Sequence, residues 1–168
     1  GSTDGSFVTL QSNGTNWVVT AKSENSGVIN VKDLGAIGDG VADDTVAIQA
    51  ALTLGGTVLL PSGTYKITTS LTMTSGGLIG MGASESVITM ASAALPAIII
   101  ANGAVGLTIS DLRVTRSIAA TAGGHGISSL GNVVSRCNIE QITLDAHWYG
   151  LALGPTDYGH VGFVRTES

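Results

Sequence analysis

Charge is scarce in this chain: seven Lys and Arg and twelve Asp and Glu among 168 residues, 11% in all, with a net charge of -5. Phosphate neutralisation needs clustered Lys and Arg, so this balance argues against a nucleic-acid partner and, for the same reason, against an anionic membrane surface. There is one cysteine, Cys137, which excludes an intramolecular disulfide. Its neighbours Val134 and Ile139 place it as a small core residue. Aromatic residues make up only 4% of the chain. The longest apolar run, Ala93 to Ala101, is broken by Pro96 and falls well short of the roughly 20 residues a membrane-spanning helix needs. The first residues lack the basic and apolar regions of a signal peptide.

What the chain does have is glycine and small apolar residues. Its 24 glycines are about twice the roughly 7% usual in proteins, a mixture that suits short strands joined by tight turns. The 43% hydrophobic content is enough for one folded domain with a core. Residues 7 to 10 and 17 to 20 are β-branched and aromatic runs flanking Asn13 and Gly14, which predicts a β-hairpin. A polar stretch from Lys22 to Gly27 reads as a linker.

At Asp43 and Asp44 the pattern becomes helical. Either carboxylate can accept hydrogen bonds from the free amides of a first turn, and Val46, Ala47, Ile48, Ala51, Leu52 and Leu54 recur at helical spacing until Gly55 and Gly56. Ala47, Ile48, Ala51 and Leu52 are expected to face the core. Asp39, Asp43 and Asp44 could suggest a metal site, but their spacing fits a turn followed by a helix cap, and no metal or other cofactor is expected. From Thr57 onward only short strands are predicted, over 57–60, 65–68, 71–73, 78–81, 87–90 and 97–101.

The second half repeats itself. Leu107, Ile109, Leu112 and Val114 recur as Cys137, Ile139, Ile142 and Leu144, each displaced by 30 positions. Gly126, Ile127 and Ser128 are echoed by Gly150, Leu151 and Ala152. A period in this range marks a solenoid, whose turns bury their apolar faces against one another. A two-residue period without intervening helices makes it an all-β solenoid, with Ile109 expected beneath Ile139 and Val114 beneath Leu144 in parallel. The Asn ladder of a leucine-rich repeat is missing, and a β-sandwich is the competing architecture.

Three blocks carry a resemblance: Val31 to Gly40, Asp43 to Ala51, and Gly56 to Tyr65. Together they resemble the opening of the pectin-lyase-like right-handed parallel β-helix superfamily, most of all the N-terminal part of a phage tailspike polysaccharide depolymerase. The resemblance implies a hairpin and linker over residues 1–27, an N-terminal cap with its helix over 28–56, and the first β-helix coils over 57–168, truncated at the C-terminus. It also implies a homotrimer at the virion tail. Its partners would be other phage tail proteins, through the N-terminus, and a bacterial capsular or lipopolysaccharide glycan that the parent protein binds and cleaves. A non-catalytic receptor-binding or baseplate adaptor, and a polygalacturonase or polysaccharide lyase from outside phages, are the rival readings.

Glycoside hydrolysis uses two carboxyl groups, and equivalent residues on neighbouring coils stack at the strand spacing. The 30-residue displacement sets Asp111 over Gln141 and Thr115 over Asp145, which pairs no two acids and predicts an inactive fragment. Asp111 is expected to cap a turn. Glu140, beside the same corner one coil later, is expected to be solvated. The richest polar and aromatic stretch is 145–160. Within it Asp145, His147, Asp157 and His160 are the candidates for proton transfer, and Trp148, Tyr149 and Tyr158 the candidates for stacking on sugar rings. His125 lies in a glycine-rich turn with no visible partner.

Overall fold

The computed structural model describes residues 8–12, 17–22, 27–147, 149–154, 156–157, 160–162 and 164–167. Strands Val8–Ser12 and Trp17–Lys22 pair antiparallel, as the hairpin reading requires, with a bulge between Thr9 and Leu10; the turn at 13–16 lies outside the described residues. Apart from this hairpin, every pairing between named strands is parallel, and consecutive coils stack into a right-handed parallel β-helix.

Three ladders form its walls. The first runs through Val28–Asn30, Thr57–Leu59, Gly77–Ile79, the front half of Thr108–Arg116, the front half of Asn138–Asp145, and His160–Val161. The second runs through Asp39–Asp43, Gly63–Ile67, Ser86–Met90, the back halves of the same two long strands, and Val164–Glu167. The third is Leu71–Met73, Ile98–Ile100, Ile127–Ser128 and Leu151–Ala152. Asp111 (φ 58°) and Gln141 (φ 54°) adopt the left-handed conformation where each long strand bends from the first wall to the second. The corner at Asp111 is therefore a single-residue backbone bend within a strand, and not a turn capped by its carboxylate.

Strand alternation fills the interior with apolar columns, each buried residue resting on its equivalent one coil away. Val58, Leu78, Ile109 and Ile139 form one column, and Tyr65, Ile88, Val114 and Leu144 another. The expected stacking of Ile109 on Ile139 and of Val114 on Leu144 is observed directly. Cys137 is buried, as its flanks predicted, forms no disulfide, and its thiol donates to the Ser135 carbonyl at 3.7 Å.

The helix α1, Thr45–Leu54, packs against the 3-10 turn Val31–Leu34 and strand Leu71–Met73. Ile48, Ala51 and Leu52 are buried and Ala47 is partly so. Gln49 ties the helix to that strand, its amide donating to the Thr72 carbonyl and accepting the Thr72 N–H.

The two aspartates before α1 divide their work. Asp43 accepts the Thr45 amide at 3.0 Å and also bonds the Thr45 and Thr68 hydroxyls, which hold its carboxyl below the usual range. Asp44 occupies the capping position but makes no side-chain bond to the helix. Its buried carboxylate instead accepts Ile37 N–H at 2.7 Å and Gly38 N–H at 3.1 Å. One further departure from expectation is Asp39–Asp43, which the spacing placed in a turn and the structure places in the second wall, opposite Thr64 and Lys66.

Candidate functional site

The interior column Ile67, Met90 continues into Arg116, so that an arginine occupies a core position on the third coil. Only 7% of it is exposed. A buried cation is tolerated where hydrogen bonds replace its water, and four of the five N–H donors of this guanidinium have partners. Its two amino groups donate to the carbonyls of Ser92, Leu95 and His125, the latter two at 2.6 and 2.7 Å. Its Nε donates at 2.8 Å to Nδ1 of His147, one coil further on. Burial lowers the Arg116 pKa, yet nothing brings a guanidinium near neutral deprotonation.

Because Arg116 can only donate, His147 must present a lone pair at Nδ1 and carry its proton on Nε2. That nitrogen lies 3.0 Å from the Val114 carbonyl, to which it donates. Burial, with the nearby Arg116 charge, pushes the His147 pKa down to about 4, against the opposing pull of Asp145 and the Val114 bond. His147 is thus a neutral ring with both nitrogens committed. A proton-transfer role assigned to it from sequence requires breaking one of those bonds.

Beside it, Asp145 is 8% exposed at its side chain and bonds Arg113 through one carboxylate oxygen. The other oxygen, buried, has no hydrogen-bond partner. His125 stacks on Tyr149 with ring centroids 5.7 Å apart and planes 26° from parallel. Tyr149 is 61% exposed, and the buried Nδ1 of His125 has no partner. The glycines flanking His125 make this approach feasible. A Cβ on Gly124 would meet the Ala93 carbonyl at 2.3 Å, and one on Gly126 would meet the Gly150 carbonyl at 2.5 Å and the His147 ring at 3.0 Å.

The sequence candidates therefore separate. Asp145, His147 and Tyr149 gather at one corner together with His125, Arg113 and Arg116. Asp157 lies in strand Thr156–Asp157, paired with Val134–Ser135, and belongs to a different sheet. His160 is exposed on the first wall beside Asn138. Asn138 in turn donates to Glu140 at 2.8 Å. Trp148 and Tyr158 lie outside the described residues. Sequence reasoning missed Arg116, although its position in the alternation Leu112, Val114, Arg116 marks it as inward-facing.

The expectation that no two acids stand one coil apart is corrected. Strand Val164–Glu167 sets Glu167 beside Asp145. The 30-residue period shortens to 22 at this step, from Ile142 to Val164, so extrapolating the longer period passes over the match. Elsewhere, the outward column of the third wall reads Thr72, Ile99, Ser128, Ala152, with no titratable group. Among the described residues, no group of three His, Cys, Asp or Glu could hold a metal ion. A depression of about 550 Å³ on the outer face of α1, lined by Thr45, Val46, Gln49, Ala50, Thr53 and Thr69, also lacks titratable groups and involves none of the corner residues.

Parallel coils, an amphipathic N-terminal helix and three continuous walls define a pectin-lyase-like β-helix. The chain belongs to the rhamnogalacturonase A/epimerase, pectate lyase-like family, whose model matches residues 28–121. It is 46% identical over 74 residues to the mannuronan C5-epimerase AlgE1 of Azotobacter vinelandii, a match covering 36% of this chain and 5% of that protein. The A-module of the Azotobacter vinelandii mannuronan C-5 epimerase AlgE6 superposes with a TM-score of 0.61 at 25% identity, covering 82% of this chain and 41% of that one. The pre-mature gene product 12 of bacteriophage phi29 shares the fold, with a TM-score of 0.65 at 22% identity over 76% of this chain and 19% of that one.

Proposed function

We propose that this chain is the N-terminal β-helix portion of a phage tailspike-like protein that binds a bacterial surface polysaccharide, and that the corner of Tyr149, His125 and Asp145 contacts the sugar. The observation that carries this reading is the combination at that corner of an exposed ring with two buried polar atoms left unpaired. An aromatic face stacks on the apolar face of a pyranose, and its hydroxyls can bond the free Asp145 oxygen and the His125 nitrogen. The named activity of the epimerase relatives on mannuronan supports a polysaccharide as the partner class. Placement at a virion tail, homotrimer assembly and the divisions at residues 27 and 56 belong to the same proposal and rest on the opening motifs.

Calorimetric titration with mannuronan oligosaccharides, bacterial capsule and lipopolysaccharide tests it. At least one should bind, and Tyr149→Ala should weaken that binding about three- to tenfold, the worth of one aromatic contact. No binding by any of the three would sink the reading.

The pairing of Asp145 with Glu167 favours a second reading, catalysis. The two residues are paired on neighbouring strands, about 4.8 Å apart along the backbone, and glycoside hydrolysis uses two carboxyl groups. Release of reducing ends from the same polysaccharides, abolished by Asp145→Asn, would establish it over simple binding.

A further inference from the structure

We propose that Arg116 and His147 are positioning residues, a latch that fixes the His125 and Tyr149 rings for polysaccharide and that opens when His147 takes up a second proton. The proposal rests on the binding reading above and adds how that site is held and regulated. Three turns meet at Arg116: its guanidinium ties Ser92 and Leu95 on one coil to His125 on the next and to His147 on the one after. The bond to the His125 carbonyl fixes the backbone beneath the ring that stacks on Tyr149. No other described side chain bonds all three turns.

The latch depends on the charge state of His147 for a geometric reason. A proton from solvent can enter only at Nδ1, where the lone pair already receives the Arg116 Nε–H. Adding it sets two donors against each other and places a cation beside the guanidinium, so the bond breaks and Arg116 loses one of its partners. The groups facing His147 are Arg116 and His125, which oppose its protonation, and Asp145, which favours it while engaged with Arg113. Burial is the largest influence and holds the ring neutral down to about pH 4. The latch is therefore closed at neutral pH and opens in acid.

The three histidines of the chain make it readable by NMR of a uniformly histidine-labelled sample. In the wild type, His147 should keep its Nε2-protonated signature through pH 5 and titrate near 4. The His125 ring signals, shifted by the Tyr149 ring current at neutral pH, should move toward free-histidine positions as His147 titrates. His147→Gln supplies an acceptor and a donor without a titrating proton. It should keep the His125 shift in acid. Arg116→Lys, a single point donor, should lose that shift at neutral pH; if this variant fails to fold, the wild-type and His147→Gln series decide alone.

Binding of mannuronan oligosaccharides, followed on the same samples, should weaken about twofold between pH 6.5 and the His147 midpoint near pH 4 in the wild type and stay level in His147→Gln. An unchanged His125 signal on His147 protonation, or a His147 that titrates at the ordinary histidine value, overturns the latch. Absence of binding by mannuronan oligosaccharides, bacterial capsule and lipopolysaccharide alike at every pH, with the His125 response intact, overturns the polysaccharide reading and leaves the latch standing.

Discussion

The two long strands Thr108–Arg116 and Asn138–Asp145 run from an interior built of interchangeable parts to a corner built of particular ones. Between Ile109 and Val114 each inward side chain rests on another apolar side chain one coil away, and the side chains of each pair meet through burial alone. Past Val114 the same alternation delivers Arg116, and stability there depends on individual donors and acceptors. Repetition supports the scaffold. Departure from repetition, in a fold made of equivalent rungs, marks where the chain does something specific.

Four substitutions sharpen that contrast. The largest effect is expected in the ladder: Ile139→Ala leaves a cavity between fully buried neighbours and should cost about 2 to 5 kcal/mol in urea unfolding, while leaving polysaccharide binding to the folded fraction intact. An effect under about 1 kcal/mol would mean that the columns do not carry the fold. Next, Asp44→Ala strands two amides, Ile37 and Gly38, that its buried carboxylate now satisfies, and should cost about 1 to 3 kcal/mol. Asp43→Ala, at a carboxylate exposed on the surface, should cost less; the reverse order in thermal melts would restore Asp43 as the principal anchor of the first coil. The smallest effect concerns Arg136, exposed and held at φ 54° where Gly106 takes the equivalent place thirty residues earlier at φ 71°. Arg136→Gly relieves the left-handed strain and should stabilise by less than about 1 kcal/mol after the added chain entropy is counted.

The legible part of this molecule was the part that repeats. Displacement by 30 residues named the partners of Ile109 and Val114 correctly because an apolar column has only one satisfactory register. The helix was legible too, from its spacing, though not the exchange of duties between Asp43 and Asp44: both are acids before a helix, and only the approach of Ile37 and Gly38 distinguishes them. At the corner, residues 145–149 stood out by type, but the contacts that give them meaning do not follow from local pattern. His125 had no partner within its own turn because Tyr149 lies on the next coil. Arg116 was passed over, because the alternation that turns it inward shows only when it is followed to the end of the strand Thr108–Arg116. The pairing of Asp145 with Glu167 was hidden by a change of period, which turn length sets and strand pattern does not reveal.

Hydrogen–deuterium exchange of the protein with and without mannuronan oligosaccharides, bacterial capsule or lipopolysaccharide tests the central claim most directly, because it locates a contact without altering a residue. The account predicts added protection over 117–126 and 145–151, the two turns that carry His125 and Tyr149, with the ladder at 107–112 and 137–142 unchanged. Protection centred on the outer face of α1, or on the first wall around Asn138 and His160, would contradict it.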